Sequence, residues 1–452
     1  MKRNKAQSDG FLLFCLGALT FVALGFLMLI SRKDQGLDFR IAYSSARCLL
    51  EHRDPYNQSD LLLVYAKNGG TPPLEGIENL KSEALYIYLP TIFVATVPLQ
   101  ILPMYAAYWL WTGLAALGFL IAAAMVWDVG KEFAPVLTGG LLCCYLANSG
   151  SLISTGNAAT IALSLGIIGA WCILRERWAW AGVLCLAFSL AIKPHDSAFL
   201  WLGLVACGGT FRKRALQSLA VMACMCLPFV VWAWRIAPHW MQEMRTHIAI
   251  LSSHGAVSDP GPATVLNRGA LMLTNLQSLF SLAWDDPRFY NAASYALCLT
   301  MIATQIGVLW KRRVLASDAR WILIAFASAL TLLPVYHRQY DAKLLILTIP
   351  ACALLFSQQG RLGKAAVIVT SIGLLVTSDL PWAFYVTRTS GAHLSGLASR
   401  FYFLSLAVTV PLTITLVAAF YLLAGADAGR RPDAGPEAGE PKHAVLGTRF
   451  GI

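Results

Sequence analysis

Long apolar runs separated by short polar loops constrain this chain more than any other feature. The first run, Phe11 to Ile30, is long enough to cross about 30 Å of hydrocarbon. Further apolar segments follow near residues 105–127, 136–150, 157–174, 178–192, 197–210, 215–234, 289–310, 319–335, 342–357, 364–379 and 402–424. Inside lipid, a spanning helix satisfies its own backbone polar groups. The sequence therefore predicts an all-α, polytopic membrane protein with about 12 transmembrane helices.

Composition supports a membrane protein. Of 452 residues, 57% are hydrophobic and only 13% are charged, and the mean hydropathy is +0.60. A soluble globular domain carries about 25% charged residues. The net charge of +11 would suggest nucleic acid as the partner of a soluble protein. Here the basic residues cluster in short loops between apolar segments, so we expect membrane lipids around the chain and no nucleic-acid partner.

Loop charges predict the topology. Lys2, Arg3 and Lys5 precede the first apolar run, and no small-residue cleavage site follows it, so we expect an uncleaved helix with a cytoplasmic N-terminus. If the short apolar stretch 86–102 does not cross, alternate short loops become rich in basic residues and lie inside. These inner residues are Lys131, Arg175, Arg177, Arg212, Lys213, Arg214, Lys311, Arg312, Arg313, Arg361, Lys364, Arg430 and Arg431. We therefore expect a re-entrant or partly inserted helix at 86–102 and a cytoplasmic C-terminus.

The chain divides into one membrane domain, 1–424, and a tail, 425–452. The tail is rich in Gly, Ala, Pro and Glu, and we expect it to be disordered in the cytoplasm. Two long loops, 31–85 and 235–288, lie outside in this topology. Amphipathic runs at 41–50, 61–66 and 265–284 predict helices lying in the membrane interface.

Polar residues concentrate at the outer ends of the predicted helices. Because ionisable groups at membrane depth are costly and tend to be functional, we expect one outward-facing polar cavity. Its candidate residues are Asp38, Asp54, Tyr56, Asn157, Lys193, His195, Asp196, His337, Arg338, Tyr340, Asp341 and Lys343. Asp38 is a candidate general base, placed about eight residues beyond the first helix. The alternative is a loop carboxylate that pairs with Arg40 or Arg47.

Two dense polar clusters interrupt apolar helices, Lys193–Asp196 and Tyr336–Asp341. Lys193 or His195 could bind a phosphate diester, and Arg338 suits a bidentate phosphate contact. A snorkelling lysine and a salt-bridged loop are the structural alternatives. Asn157 is either a helix N-cap or a substrate contact.

The sequence shows no metal or cofactor motif. Ten of the 11 cysteines lie inside apolar segments, and the remaining histidines are scattered without ligand spacing. We expect no disulfide framework, no metal site and no cofactor. A divalent ion shared by Asp38 and Asp54 stays open, although nothing in the sequence requires one.

The segment Asp38–Ala46 followed by Asp54-Pro55-Tyr56 resembles the first outer loop of glycosyltransferase family 87. Similar features are Tyr88-Leu89-Pro90, Gly156-Asn157, Lys193-Pro194 and the His337–Tyr340 cluster, so the resemblance covers roughly residues 11 to 424. The family consists of multispanning enzymes of the C-type glycosyltransferase superfamily, including polyprenol-phosphate-mannose-dependent mannosyltransferases. The chain departs from the family at Glu51-His52-Arg53, at Leu89-Pro90 and at Asn157, which leaves the sugar and the acceptor open.

The resemblance implies a membrane hexosyltransferase of the bacterial cytoplasmic membrane. It would move mannose or another sugar from a polyprenyl-phosphate donor to a lipid or glycan acceptor on the outer face, with inversion and with Asp38 as general base. Residues expected to bind substrate are Lys193, His337, Arg338, Tyr340, Tyr43, Tyr56 and Asn157. A transporter or flippase of a lipid-linked sugar is the alternative from another class. A ligase using a pyrophosphate-linked donor is a third.

Overall fold

The computed structural model describes residues 2–31, 36–68, 85–266, 273–311, 316–381, 383–384 and 396–427. These residues form helices, and no β-strand occurs among them; one isolated bridge joins Leu273 to Arg338. The helices that correspond to the predicted apolar segments are Lys2–Ser31, Met104–Gly130, Pro135–Ala147, Ala158–Leu174, Ala179–Ile192, Pro194–Ala206, Gly209–Ile236, Pro287–Lys311, Ser317–Thr331, Thr348–Ser357, Arg361–Val376 and Gly396–Asp427. The all-α expectation is confirmed.

Each predicted apolar segment overlaps one of these helices, but not every helix is long enough to cross a membrane. Six candidate spans among the described residues are long and apolar enough: Asn4–Ser31, Met104–Gly130, Pro135–Ser154, Gly209–Ile236, Pro287–Lys311 and Gly396–Asp427. The span Pro135–Ser154 joins the helix Pro135–Ala147 to the short helix Ser151–Ser154. The other helices stop short of about 20 residues, the length that 30 Å of hydrocarbon requires at 1.5 Å per residue. The structure thus supports a membrane protein with six candidate spans, and the count of 12 stays a prediction.

The stretch 86–102 folds into short helical pieces, Pro90–Ile92, Phe93–Thr96 and Pro98–Ile101. Proline removes a backbone donor and clashes with the preceding turn, so Pro90, Pro98 and Pro103 divide the stretch. The apolar piece 90–101 is only about 18 Å long, too short to cross the hydrocarbon on its own.

The two long loops carry their own helices. Leu37–Leu50 and Gln58–Lys67 form where the first loop was expected to be helical, and Trp240–Leu251 follows the helix Gly209–Ile236. The single helix expected over 265–284 is wrong: Pro262–Val265 and Leu276–Phe280 are separate short helices. The second of these donates hydrogen bonds from Leu276 and Gln277 to the carbonyls of Leu333 and Pro334, so tertiary contacts decide this segment. The polar stretch 69–84 and tail residues 428–452, where disorder was expected, lie outside the described residues.

Glycines allow the first helix to pack closely on the helix Pro135–Ala147. A Cβ at Gly139 would lie 2.1 Å from the carbonyl oxygen of Gly10, and one at Gly17 would lie 2.5 Å from the Cα of Cys143. Small residues at a contact let two helix backbones approach, which is the usual basis of helix association in membranes. This packing fixes the position of the first helix, which precedes the Leu37–Leu50 helix in the chain.

Candidate active site

Asp38 lies in the first turn of the helix Leu37–Leu50, hereafter the Asp38 helix. Gly36 precedes it with a left-handed φ of 66°, a conformation that glycine adopts without strain. A Cβ at Gly36 would meet the Tyr108 ring at 2.1 Å, and one at Gly156 would lie 3.1 Å from the Gly36 Cα. Two glycines therefore allow the start of the Asp38 helix to approach the turn before Asn157. The helix N-terminus also favours an anionic side chain at position 38.

Phe39 secures this approach on the apolar side. Its ring contacts Tyr108 and Trp111, with centroids 5.7 and 5.4 Å apart. The Trp111 indole donates to the Gly156 carbonyl at 3.1 Å. Phe39 is 1% exposed, so the residue after Asp38 fixes the helix against the bundle while Asp38 itself stays partly accessible.

Asn157 joins the helix cap to Asp38. Its Oδ1 accepts from the Ala159 amide at 2.8 Å, which caps the helix Ala158–Leu174. Because this cap requires the oxygen to face Ala159, Nδ2 must face the other way. Nδ2 donates to Asp38 Oδ2 at 2.7 Å and to the Tyr340 hydroxyl at 3.1 Å. The predicted N-cap is confirmed, and the same amide orients the candidate base.

Lys193, Asp196 and Asp341 form a buried ionic cluster, hereafter the Lys193 cluster. Lys193 Nζ lies 3.2 Å from Asp196 Oδ2 and also contacts Asp341 Oδ1. Burial alone would lower the pKa of Lys193, but the two carboxylates outweigh it and raise the pKa, so the ammonium stays charged. Nζ also lies 5.4 Å from the centre of the Tyr340 ring, in a cation–π contact.

Residues 273–277 of the second long loop hold the segment that carries His337 and Arg338. The Thr274 amide donates to the His337 carbonyl at 3.1 Å, and the Leu276 amide donates to the Leu333 carbonyl at 3.0 Å. The backbone amide of Arg338 donates to Asp341 Oδ2 at 2.8 Å, a hydrogen bond within the same segment. The Tyr336–Asp341 segment is therefore held by hydrogen bonds to residues of the second long loop and by one bond within the segment itself.

A cavity of about 280 Å³ opens between these elements, close to the lower end of the usual size of small-molecule sites. Its polar wall contains Asp38, Tyr88, Asn157, Lys193, His195, Ser258, Tyr336, Arg338 and Tyr340. Its apolar wall contains Leu37, Ile41, Leu85, Ile87, Leu251 and Val257. One carboxylate, two permanent cations and several phenol rings thus face a single space, next to aliphatic side chains.

Three of the residues expected to bind substrate lie outside this lining. Tyr43 and Tyr56 are 3% and 1% exposed, and their hydroxyls donate to the carbonyls of Leu102 and Tyr88 at 2.7 and 2.8 Å. Both act as packing residues in the described structure. His337 is fully buried beside Asp196, with its Nε2 3.3 Å from Asp196 Oδ1. Asp38, Asn157, Lys193, Arg338 and Tyr340 are brought together as expected.

The sequence named Asp196 and Asp341 in its polar clusters but gave them no role. Both carboxylates pair with Lys193. Asp196 is three residues away in the sequence, and Asp341 is far away in the sequence. The Asp196 spacing was a usable signal, since residues i and i+3 meet at the start of a helix, and Asp196 lies in the first turn of Pro194–Ala206. Tyr88 was seen only as part of a motif, and its place in the cavity wall follows from tertiary packing.

The family model described as glycosyltransferase family 87 matches residues 86–286. The resemblance inferred from the sequence is confirmed over this range, which includes Asn157, Lys193 and nearly all of the second long loop. Asp38 and the Tyr336–Asp341 loop lie outside the match, so the geometry alone connects them to it. No curated protein and no solved structure matches the chain.

Proposed function

We propose that this chain, a membrane glycosyltransferase by its match to glycosyltransferase family 87, transfers a sugar from a polyprenyl-phosphate donor to a hydroxyl of a lipid or glycan acceptor. The observation that carries the proposal is the cavity, whose lining contains Asp38 together with Lys193 and Arg338. In such a transfer, a carboxylate takes the proton of the attacking hydroxyl and cations stabilise the leaving phosphate.

Asp38 acts as the general base. The acceptor oxygen attacks the anomeric carbon while its proton passes to an Asp38 carboxylate oxygen. The bond between the anomeric carbon and the phosphate oxygen breaks, and its electron pair leaves with polyprenyl phosphate. Attack on the face opposite the leaving group inverts the anomeric configuration. Asn157 holds Oδ2 through its amide, which leaves Oδ1 for the acceptor.

The cations of the cavity stabilise the leaving phosphate. Arg338 presents a planar, permanently charged guanidinium, and Lys193 presents an ammonium that two carboxylates keep protonated. Charges that are positioned before the reaction stabilise developing negative charge without reorganisation. Lys193 is itself fixed by the Lys193 cluster, so we assign the larger part of the phosphate contact to Arg338.

The apolar wall suits the lipid part of the donor. Leu37 and Ile41 of the Asp38 helix face the same space as Leu251 and Val257 of the second long loop. Aliphatic side chains next to a cationic site fit the junction between a phosphate and an isoprenoid chain. We propose that the donor enters from the bilayer on the outer face of a bacterial cytoplasmic membrane, with both termini in the cytoplasm.

Reconstitution tests the proposal. The purified protein is placed in liposomes with polyprenyl-phosphate sugars that carry labelled mannose or other hexoses and pentoses, together with an envelope lipid extract as acceptor. We expect label to move from the donor to a new glycolipid or glycan. Movement of intact donor across the bilayer without any new product would contradict the proposal and favour the transporter. Transfer only from a pyrophosphate-linked donor would favour a ligase.

A further inference from the structure

Three metal-binding side chains meet at the wall of the cavity: His195, Asp196 and His337. We propose that they bind a first-row divalent cation such as Zn²⁺ through His195 Nε2, Asp196 Oδ1 and His337 Nε2. The distances from Asp196 Oδ1 to His337 Nε2 and to His195 Nε2 are 3.3 and 3.6 Å. One ligand atom from each of the three side chains lies within 4.8 Å of the other two. Ligands at about 2.1 Å from a tetrahedral ion lie about 3.4 Å apart.

The hydrogen bond of the other His337 nitrogen supports this assignment. Nδ1 lies 3.0 Å from the Val335 carbonyl oxygen, which can only accept, so Nδ1 carries a proton. In the neutral ring Nε2 then has a lone pair, and this lone pair faces an Asp196 oxygen. Two acceptors at 3.3 Å repel each other unless a cation lies between them. A histidine that binds a metal usually donates its second N–H to a backbone carbonyl or carboxylate in this way.

Burial makes it costly for polar atoms at this site to lack a hydrogen-bond partner. Asp196 is 3% exposed and His337 is 0% exposed. Within the described part of the chain neither Asp196 oxygen nor His337 Nε2 makes a well-oriented hydrogen bond, although Lys193 Nζ lies 3.2 Å from Asp196 Oδ2. Buried polar groups without a partner are rare and mark places where an ion or another ligand is bound. Lys193 balances Oδ2, and Oδ1 is left for the ion.

The donor atoms of the site suit a divalent ion. Asp196 offers a carboxylate oxygen, and His195 and His337 each offer a ring nitrogen. Two imidazoles and one carboxylate suit Zn²⁺, Fe²⁺ and similar ions, and three protein ligands leave at least one position open. His195 is exposed and lines the cavity, so the open position is on the cavity side.

The role of this ion in sugar transfer extends the proposed function and rests on it. An ion at this wall would bind an oxygen of the donor phosphate and add to the charge of Arg338 and Lys193. The binding of the ion does not depend on which reaction the protein performs. Its alternative is a second proton on His337, which would fill the same gap with an imidazolium N–H.

Cobalt binding tests the inference. Purified protein in detergent is treated with a chelator, exchanged into fresh buffer and titrated with Co²⁺ alone, and the visible absorption of bound cobalt is followed. We expect one Co²⁺ per chain. His195→Ala should weaken binding at least tenfold, and His337→Ala should weaken it about a hundredfold. His254→Ala is the matched control, because His254 is an exposed histidine 3.7 Å from Asp285.

Absence of cobalt binding by the original protein, or equal binding by the original protein and both site variants, would overturn the inference. All variants keep the 11 cysteines, so binding at thiols would persist in each and count against the site. His195 is 42% exposed, which keeps its variant informative even if His337→Ala fails to fold. Sugar transfer without cobalt binding would overturn the metal site and leave the proposed function standing.

Discussion

The Asn157 amide donates to Asp38 Oδ2 at 2.7 Å while its own oxygen caps the next helix. The cap fixes which way the amide points, so the orientation of Asp38 is a consequence of the fold of the helix Ala158–Leu174. A base held in one rotamer loses little entropy when the acceptor hydroxyl binds. Asn157 is therefore a positioning residue for the proposed base.

Replacing Asn157 with Ser separates these two roles. Serine is a good N-cap and keeps the helix start, but it has no amide to reach Asp38. Hydrogen bonds to charged groups contribute about 1.5–3 kcal/mol, so we expect Asn157→Ser to lower kcat by about 10- to 100-fold with little change in KM. Steady-state transfer kinetics check this. Asn57→Ser, at another Asn N-cap, should leave transfer intact. An unchanged kcat in Asn157→Ser would contradict the positioning role.

The close approach of Gly36 to the Tyr108 ring predicts that a single methyl group disrupts the site. In Gly36→Ala the new Cβ would lie 2.1 Å from the Tyr108 ring, at a left-handed φ. Overpacking costs about 1–3 kcal/mol, and we expect a lower melting temperature and loss of transfer. Gly113→Ala and Gly140→Ala are matched controls, because nothing lies within 4 Å of their new Cβ atoms. A Gly36→Ala variant with the same melting temperature and transfer rate as these controls would contradict the close approach.

Lys343 and Asp379 form a second buried ion pair, 3.1 Å apart and away from the cavity lining. Asp379 also accepts from the Ser151 amide and hydroxyl, each at 2.7 Å, and Lys343 donates to the Thr377 carbonyl at 2.9 Å. Removing one partner of a buried pair costs about 3–5 kcal/mol because a bare charge is left. We expect Asp379→Leu to lower the melting temperature strongly and Lys343→Met/Asp379→Leu to recover part of it. A double variant no better than the single one would refute the pairing.

Asp54 and Glu243 predict a pH dependence of stability. Their carboxyl groups share a hydrogen bond. Burial raises the pKa of both, and a nearby carboxylate adds to the rise, Asp60 in the case of Asp54 and Asp54 in the case of Glu243. Ionisation is therefore harder in the folded state, so this contribution to stability is present at low pH and is lost as the pH rises past the ordinary carboxyl pKa. We expect Glu243→Gln to raise the melting temperature at pH 7–8 and to have no such benefit near pH 4.

Glu51 provides the control with the opposite sign. Its burial would raise its pKa, but hydrogen bonds from Lys67 and Arg47 outweigh burial and lower the pKa. The ion pairs of Glu51 stabilise the fold above the ordinary carboxyl pKa and lose their effect as the pH falls. Glu51→Gln should therefore lower the melting temperature at pH 7–8. Shifts of the same sign in the two variants at pH 7–8 would contradict the assignment.

Much of the helical arrangement could be predicted from the sequence, because apolar runs and the polar residues that end them are local signals. The positions of the long helices follow from the apolar runs, and the cap at Asn157 follows from a polar residue before such a run. The short helices are different. Residues 276–280 are set by hydrogen bonds to the distant segment 333–337, and a linear pattern does not contain that contact.

Site residues could be predicted from the sequence where the residue type itself suggested the chemistry. They could not be predicted where burial in the folded chain determines the role of the side chain. Asp38, Lys193 and Arg338 were identified by charge next to apolar helices. Tyr43 and Tyr56 belong to the same motif, but their hydroxyls bind backbone carbonyls inside the bundle. His195 and His337 show no ligand spacing because the loops that carry them meet only in the folded chain.

The central claim is that the Asp38 carboxylate takes the proton of the acceptor. Asp38→Asn keeps the size of the side chain and removes its charge, and Asp60→Asn, at a partly exposed acid paired with Arg53 at 2.9 Å, is the control. Transfer is measured in membranes with equal amounts of each protein and a labelled polyprenyl-phosphate sugar. We expect Asp38→Asn to lose at least a hundredfold in rate, in line with general-base catalysis, and Asp60→Asn to keep its rate. Transfer by Asp38→Asn at the rate of the original protein would contradict the account.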